Sequence, residues 1–115
     1  MLSPPILRFR QVQRSAVLEE RVREMVQRLR RFNERIDHCH LMVERLDRGQ
    51  DGLPGSPPYA VHIDLSIPGA EIHADGTSDT RSEHADVYAA LNAAFDDAKR
   101  QLQELHRERI EISKR

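Results

Sequence analysis

The spacing between apolar residues changes along this chain, and each change restricts the secondary structure that a segment can form. After Ser15 the apolar residues recur at intervals of three and four, at Leu18, Val22, Met25, Val26, Leu29 and Phe32. This spacing places them in one stripe along a helix of about five turns. Ser15 stands where an N-cap belongs, because its hydroxyl can accept a hydrogen bond from a free helical N–H. The pattern predicts an amphipathic helix that ends near residues 33–35.

Four other segments alternate apolar and polar residues, which is typical of strands that bury one face. They are residues 6–12, 36–46, 59–67 and 71–76. Pro68 and Gly69 predict a turn between the last two segments. A second helix is predicted from about residue 86, with an apolar face formed by Val87, Leu91, Ala94, Phe95, Ala98, Leu102 and Leu105.

The predicted order is β-α-β-β-β-α, which favours an α+β fold. Three consecutive strands after a helix favour an antiparallel meander. We therefore expect a two-layer sandwich in which a four-stranded sheet carries two helices on one face. A chain of 115 residues is expected to form a single domain over residues 1–115, with its core at about 6–109. Residues 49–58 contain three glycines and three prolines and predict a flexible loop.

The charged residues are unevenly distributed, although the formal net charge is only −1. Residues 1–48 contain eleven arginines and seven acidic residues, and residues 99–115 contain six basic and three acidic residues. Residues 49–98 contain one arginine and nine acidic residues. One face of the fold can therefore be basic and bind a polyanion such as RNA. Because only two tyrosines and three phenylalanines are present, recognition of RNA backbone or shape is favoured over base stacking.

The composition disfavours a secreted or membrane protein. The longest apolar stretch is far shorter than the roughly 20 residues that cross a bilayer. The first residues of the chain lack the apolar region of a secretory signal. The single cysteine, Cys39, cannot form an internal disulfide. We expect a cytoplasmic protein without a membrane partner.

Two rows of basic residues with a seven-residue spacing are the strongest candidates for a binding surface. They consist of Arg21, Arg28 and Arg35, with Arg31 beside them, on the first helix, and of Arg100, Arg107 and Lys114 on the second. Such rows suit a phosphate backbone, where each contact releases counterions. The alternative is that these arginines only solvate the outer helix faces and pair with acids such as Glu24 and Glu104. An acidic stripe of Asp97, Glu104 and Glu108 would also repel phosphate.

Six histidines raise the question of a metal site. Four of them lie on predicted strands, at His38, His40, His62 and His73. Together with a carboxylate from Asp64 or Glu71 they would supply suitable ligands for zinc or iron. The helical metal spacings HxxxH and HExxH are absent from the sequence. Ordinary strand histidines are therefore the favoured interpretation.

The sequence gives little support for catalysis. No glycine-rich phosphate loop follows a predicted strand, and the motif GxSxG is absent. Cys39 alternates with His38 and His40, so its side chain points to the opposite face, which excludes a nucleophile–base pair between them. We predict that the protein is not an enzyme and uses no cofactor, metal or small-molecule substrate.

The second predicted helix carries a family resemblance. DVYAALN at 86–92, continuing through Asp96 to KRQL at 99–102, resembles the D-M-Y-A-A-I-D … K-L-x-R-Q-L segment of the hibernation-promoting factor and ribosome-associated inhibitor family. That family is also labelled sigma-54 modulation protein. VHIDLSIPG at 61–69 and EIHA at 71–74 resemble the family's preceding strands and turn. The resemblance covers roughly residues 6–109.

The resemblance implies a domain that binds the small ribosomal subunit between head and body, over the positions of mRNA and of the A- and P-site tRNAs. Ribosomes bound in this way would be silenced under starvation or in stationary phase. Basic side chains would contact ribosomal RNA phosphates, and by position these are Arg10, Arg28, Arg31, Lys99, Arg100 and Arg107. Other hibernation factors are a further class of partner.

The chain also departs from the family pattern. The family usually has Lys where this chain has Asp97, and often Lys or Arg at the positions of Gln103 and Glu104. Acidic side chains facing phosphate would weaken or shift ribosome binding. Because the chain ends at Arg115, we expect a short form without the family's C-terminal dimerisation domain. A second hypothesis is a regulatory protein-binding module of the same fold with weakened RNA affinity.

Overall fold

The computed structural model describes residues 4–32, 35–45, 59–78 and 87–113, with side chains of the first range described up to Arg31 and of the last range up to Glu108. The elements are β1 (Ile6–Arg10), α1 (Ala16–Phe32), β2 (His38–Arg45), β3 (Tyr59–Ile67), β4 (Ala70–Thr77) and α2 (Val87–Ser113). This order confirms the predicted α+β fold. The predicted loop at 49–58 lies outside the described residues. Within those residues, no helix is both long and apolar enough to cross a membrane.

The four strands form one mixed sheet in the order β1-β2-β3-β4. The three later strands make the predicted antiparallel meander, whereas β1 pairs with β2 in parallel. The parallel pairing follows from α1, because a chain that leaves a strand and returns through a helix enters the neighbouring strand in the same direction. The sheet therefore has two edges, at β1 and at β4.

One face of the sheet packs against the helices, and the other faces solvent. On the packed face, Leu41, Ile63 and Ala74 lie opposite one another on β2, β3 and β4 and are almost fully buried with the apolar stripes of both helices. The solvent face carries the alternate residues, which are mostly histidines, acids and arginines. The two-layer arrangement places the polar strand residues and the outer helix surfaces on opposite sides of the molecule.

The first helix begins as its sequence predicts. The Leu18 N–H donates to Ser15 Oγ over 3.4 Å, and the Glu19 N–H donates to the Ser15 carbonyl oxygen over 3.0 Å. Ser15 is therefore the N-cap, and it supplies an acceptor to a helical N–H that has no partner within the helix. The cap fixes the rotation of the first turn, which sets the direction in which the basic residues farther along α1 project.

The second helix lies very close to the edge strand β4. A Cβ atom added at Gly76 would overlap backbone atoms of Ala90, Ala93 and Ala94. Farther along α2, the Gln101 side-chain amide donates to the His73 carbonyl oxygen over 2.9 Å. The small residues at this contact and the hydrogen bond from Gln101 hold α2 against β4. The helix therefore covers the outer edge of β4, which hinders pairing of β4 with another strand.

Candidate nucleic-acid interface

Three of the predicted phosphate contacts converge in a groove between α1 and α2. Its rim carries Arg28 and Arg31 from α1 with Asp96 and Lys99 from α2, and its volume is about 440 Å³. Met25, Leu29 and Phe95 form its floor. We call this surface, with these seven residues, the basic groove. It brings together side chains that are about 70 positions apart in the sequence.

The position of the rim follows from helix geometry. Arg28 is three residues after Met25, and Lys99 is four residues after Phe95, so each cation lies beside a floor residue on the same helix face. All three rim cations are exposed. In the described part of the chain, no ion pair involves Arg28, Arg31 or Lys99. Their charge is therefore directed to solvent and to an incoming ligand.

Arg21 lies in a neighbouring cavity rather than in the basic groove. That cavity is near the N-terminal ends of both helices and is lined by Glu20, Glu24 and Tyr88 as well as Arg21. Arg21 Nη1 is 4.0 Å from Glu24 Oε2, which is the pairing that the sequence left open. Arg35 is exposed in the turn after α1. The predicted α1 row is thus divided between three different environments.

Arg100 also lies outside the basic groove. Its guanidinium is 2.5 Å from Asp97 Oδ1 and 3.3 Å from Glu104 Oε1. The hydrogen bond to Asp97 raises the pKa of Arg100 further. Arg107 is exposed farther along α2. On α2, Lys99 rather than Arg100 lines the basic groove with Arg28 and Arg31, and Lys114 lies outside the described residues.

A chain of charged groups crosses the solvent face of the sheet from β1 to β4. Arg10 Nη1 is 4.0 Å from Glu44 Oε2, and Glu44 Oε1 is 3.2 Å from His62 Nε2. His62 Nδ1 is 2.5 Å from Asp75 Oδ1. We call these four side chains the cross-strand charge chain. Both ring nitrogens of His62 face carboxylates, and only a protonated ring can donate to both.

The pKa of His62 is raised accordingly. The hydrogen bond to Asp75 is the largest cause, the hydrogen bond to Glu44 adds to it, and partial desolvation opposes both. His73 has a similar environment, because its Nδ1 is 2.5 Å from Asp64 Oδ1, and this contact raises the pKa of His73. His62 and His73 therefore form ion pairs with carboxylates of neighbouring strands.

Asp97, the main departure from the family pattern, links α2 to the sheet through a hydrogen bond to β4. Its Oδ2 accepts hydrogen bonds from the Asp75 N–H over 3.3 Å and from the Gln101 side-chain amide over 3.2 Å, while Oδ1 faces Arg100. Desolvation would raise the pKa of Asp97, but the hydrogen bonds from Arg100 and from the Asp75 backbone outweigh it, and the pKa is lowered. Its charge is thus neutralised within the molecule. Sequence reasoning missed this role, because the contact between Asp97 and Asp75 depends on how α2 packs beside β4.

The structure offers no arrangement for the metal or nucleophile alternatives in its described part. No group of three His, Cys, Asp or Glu side chains among the described residues is placed to hold a metal ion. Cys39 is buried, and desolvation raises the pKa of its thiol to about 11. The thiol is therefore protonated at neutral pH and is a core side chain rather than a nucleophile.

Comparison with known protein families confirms the family resemblance that the motif in the second helix indicated. The sequence profile of the family "Sigma 54 modulation protein / S30EA ribosomal protein" matches residues 6–110. The chain belongs to this family. Membership indicates a ribosome-associated binding protein of the cytoplasm rather than an enzyme.

Solved structures share the S30EA fold with this chain. A ribosomal subunit interface protein from Coxiella burnetii is 17% identical, with a TM-score of 0.68, and the match covers 88% of this chain and 94% of that one. The N-terminal domain of Protein Y from Thermus thermophilus is 19% identical, with a TM-score of 0.65, and the match covers 88% and 98%. A search of curated protein sequences found no significant match. The structural likeness establishes the fold across nearly the whole of both relatives.

Proposed function

We propose that this S30EA-family protein binds the small ribosomal subunit in the channel that mRNA and tRNA use, and that it inhibits translation by occupying that channel. The observation that supports this proposal most directly is the basic groove, where Arg28, Arg31 and Lys99 converge without ion pairs to any described residue. Inhibition by occupancy requires a rigid, complementary surface and no chemical step.

Three cations at one groove suit ribosomal RNA because each phosphate contact combines a charge-assisted hydrogen bond with counterion release. Guanidinium groups can bind phosphate oxygens in pairs, whereas the Lys99 ammonium acts as a point charge. The two-layer fold supports this surface from below, since Met25, Leu29 and Phe95 belong to the buried core. A ligand would therefore meet side chains on a rigid base.

The remaining predicted contact residues differ in whether a carboxylate lies close enough to compete with phosphate. Arg10, Arg21 and Arg100 each have a carboxylate within 4.0 Å. A phosphate must compete with that carboxylate, so we infer a smaller contribution from these three residues. Arg107 is exposed on α2 and would extend the contact surface.

Charge reversal in the basic groove tests the proposal. We expect the triple variant Arg28→Glu, Arg31→Glu, Lys99→Glu to lose co-sedimentation with purified small subunits and to lose inhibition of translation in vitro. Each contact is worth about 1–3 kcal/mol, so affinity should fall by at least a hundredfold. The three side chains are exposed, and circular dichroism should show an intact fold.

Arg23→Glu is the matched control, because Arg23 is exposed on α1 and does not line the basic groove. It should reduce binding several-fold at most. Undiminished co-sedimentation of the triple variant, or an equal loss in the single control, would refute the groove as the contact surface.

A protein-binding module of the same fold is the second candidate, and the cavity beside Arg21 favours it. Glu20 and Glu24 make that cavity acidic, and the neighbouring Val17 is 69% exposed. An acidic cavity with an exposed apolar side chain suits a basic protein segment better than RNA. Binding to the ribosome that survives reversal of the basic groove but is lost in Glu20→Lys would favour this candidate.

A further inference from the structure

The basic groove contains one carboxylate that phosphate binding does not explain. Asp96 is exposed and lines the groove together with Arg28, Arg31 and Lys99. Among the described residues it takes part in no ion pair or hydrogen bond, so its oxygens are not used to hold the fold. A carboxylate at this position repels phosphate, and its presence indicates that the ligand brings hydrogen-bond donors as well as negative charge.

The groove is also larger than a phosphate contact requires. Its volume of about 440 Å³ lies within the range of roughly 300–1,000 Å³ of pockets that enclose small molecules. The floor is apolar, because Met25, Leu29 and Phe95 form it, and arginine and lysine side chains carry aliphatic stems below their charged groups. The ligand group that enters should therefore be flat and weakly polar on its faces, with its polar atoms at its edge.

An unpaired RNA base meets these requirements, and guanine meets them best. Guanine presents two adjacent donors, N1–H and the 2-amino group, which match the two oxygens of one carboxylate. Adenine and cytosine place a ring-nitrogen acceptor beside their amino group, and uracil has one N–H between two carbonyls. Those edges would repel one carboxylate oxygen. Guanidinium planes can stack on the face of the base even where no aromatic side chain is exposed.

We propose that the basic groove binds one unpaired guanosine of an RNA strand, with Asp96 accepting from its Watson–Crick edge and Arg28, Arg31 and Lys99 holding the flanking phosphates. This inference rests on the proposed function and makes it more specific. Asp96 is the residue that determines specificity, and the three cations supply affinity.

Fluorescence anisotropy with labelled RNA nonamers tests this assignment on the full chain. The three RNAs are uridine nonamers with a central guanosine, a central inosine or no substitution. Inosine lacks only the 2-amino group. We expect the guanosine RNA to bind the wild-type protein about tenfold more tightly than the inosine RNA, as is typical of a hydrogen bond to a charged acceptor.

The variant Asp96→Asn should bind the unsubstituted uridine RNA more tightly, because a repulsive charge is removed, and it should lose the preference for guanosine over inosine. Glu108→Gln is the matched control. It removes the same charge from an exposed position of α2 outside the basic groove, and it should retain the preference. Guanosine 5′-monophosphate should compete only weakly, because it lacks the flanking phosphates of a strand.

Equal affinity of the wild-type protein for the three RNAs, or an unchanged preference in Asp96→Asn, would overturn the inference. Tight binding of guanosine 5′-monophosphate alone would overturn the assignment of an RNA strand and indicate a free guanine nucleotide as the ligand. The ribosome experiment separates the two proposals. If the triple charge reversal abolishes co-sedimentation while the RNAs bind equally, the proposed function stands and the guanosine assignment fails.

Discussion

Gly76 is a residue at which the two layers of the molecule approach too closely for a side chain. It lies on β4 with the backbone of α2 directly above it, around Ala90 and Ala94. Only glycine fits at this position, because any Cβ atom would overlap the backbone of α2. The close approach in turn brings Asp97 and Gln101 within hydrogen-bond reach of the β4 peptide groups. Gly76 thus allows the close packing of α2 on β4.

We expect Gly76→Ala to lower the free energy of unfolding by about 2 kcal/mol or more, since overpacking of a tight contact typically costs roughly 1–3 kcal/mol. The measurement is urea unfolding followed by far-UV circular dichroism. Thr77→Ala, at the exposed neighbouring position, is the control and should change stability by less than about 0.5 kcal/mol. An unchanged midpoint in Gly76→Ala would show that α2 can move away from β4 without loss.

At the scale of the elements, the cross-strand charge chain ties the polar faces of the strands together. His62 lies directly opposite Met42 and Asp75 in the strand register, and it reaches Glu44 diagonally. A protonated ring bridges the three strands β2, β3 and β4, whereas a neutral ring can donate to only one side. The strength of this bridge therefore depends on pH.

The sign of that dependence follows from the raised pKa of His62 in the folded state. The stabilisation is complete below the unfolded pKa of about 6.5 and is lost as pH rises through the folded-state pKa. Between about pH 6 and about pH 9, wild-type protein should lose up to about 1 kcal/mol more stability than His62→Gln, because partly exposed pairs contribute little. Urea unfolding at several pH values measures the difference.

His40→Gln provides the comparison for this pH dependence. His40 is exposed on the same face of the sheet and makes no hydrogen bond to the described residues. Its variant should therefore follow the wild-type pH profile. If His62→Gln follows that profile as well, the bridge does not contribute to stability in solution.

The elements themselves could be read from the sequence, but several of their contacts could not. The apolar spacing and the Ser15 cap predicted α1, because both signals depend on residues that are close in the chain. The charge chain was not foreseen, because strand register decides whether Glu44 and Asp75 face His62. Likewise, the spacing predicted Arg28 on an exposed row, but the rotation of α2 decides that Lys99 rather than Arg100 faces it. Long-range geometry of this kind has no signature in one short segment.

For the whole molecule, a net charge of −1 conceals separate surfaces of different character. The basic groove faces outward between the helices, while the acids Asp97 and Asp75 lie on the β4 side and are engaged with other groups. The total charge is therefore a poor guide to the partner. What matters for a polyanion is the set of cations that no carboxylate neutralises.

The salt dependence of ribosome binding measures how many cations contact phosphate. With three phosphate contacts, affinity for the small subunit should fall roughly 20- to 40-fold between about 50 and about 200 mM salt. Arg28→Glu should reduce the slope of log affinity against log salt concentration by about one contact. Affinity that hardly changes over this range would instead indicate the protein-binding alternative, whose apolar contacts respond little to salt. Sedimentation binding curves at four salt concentrations provide the slopes.

The unequal edges of the sheet limit how copies of this molecule can join strand to strand. Within the described residues, β4 has the side chains of Asp97 and Gln101 on its outward peptide groups, whereas β1 pairs with a strand on one side only. Two copies can meet through their β1 edges, but neither then retains an edge for a third. Pairing through β1 therefore favours a closed pair over a growing fibre.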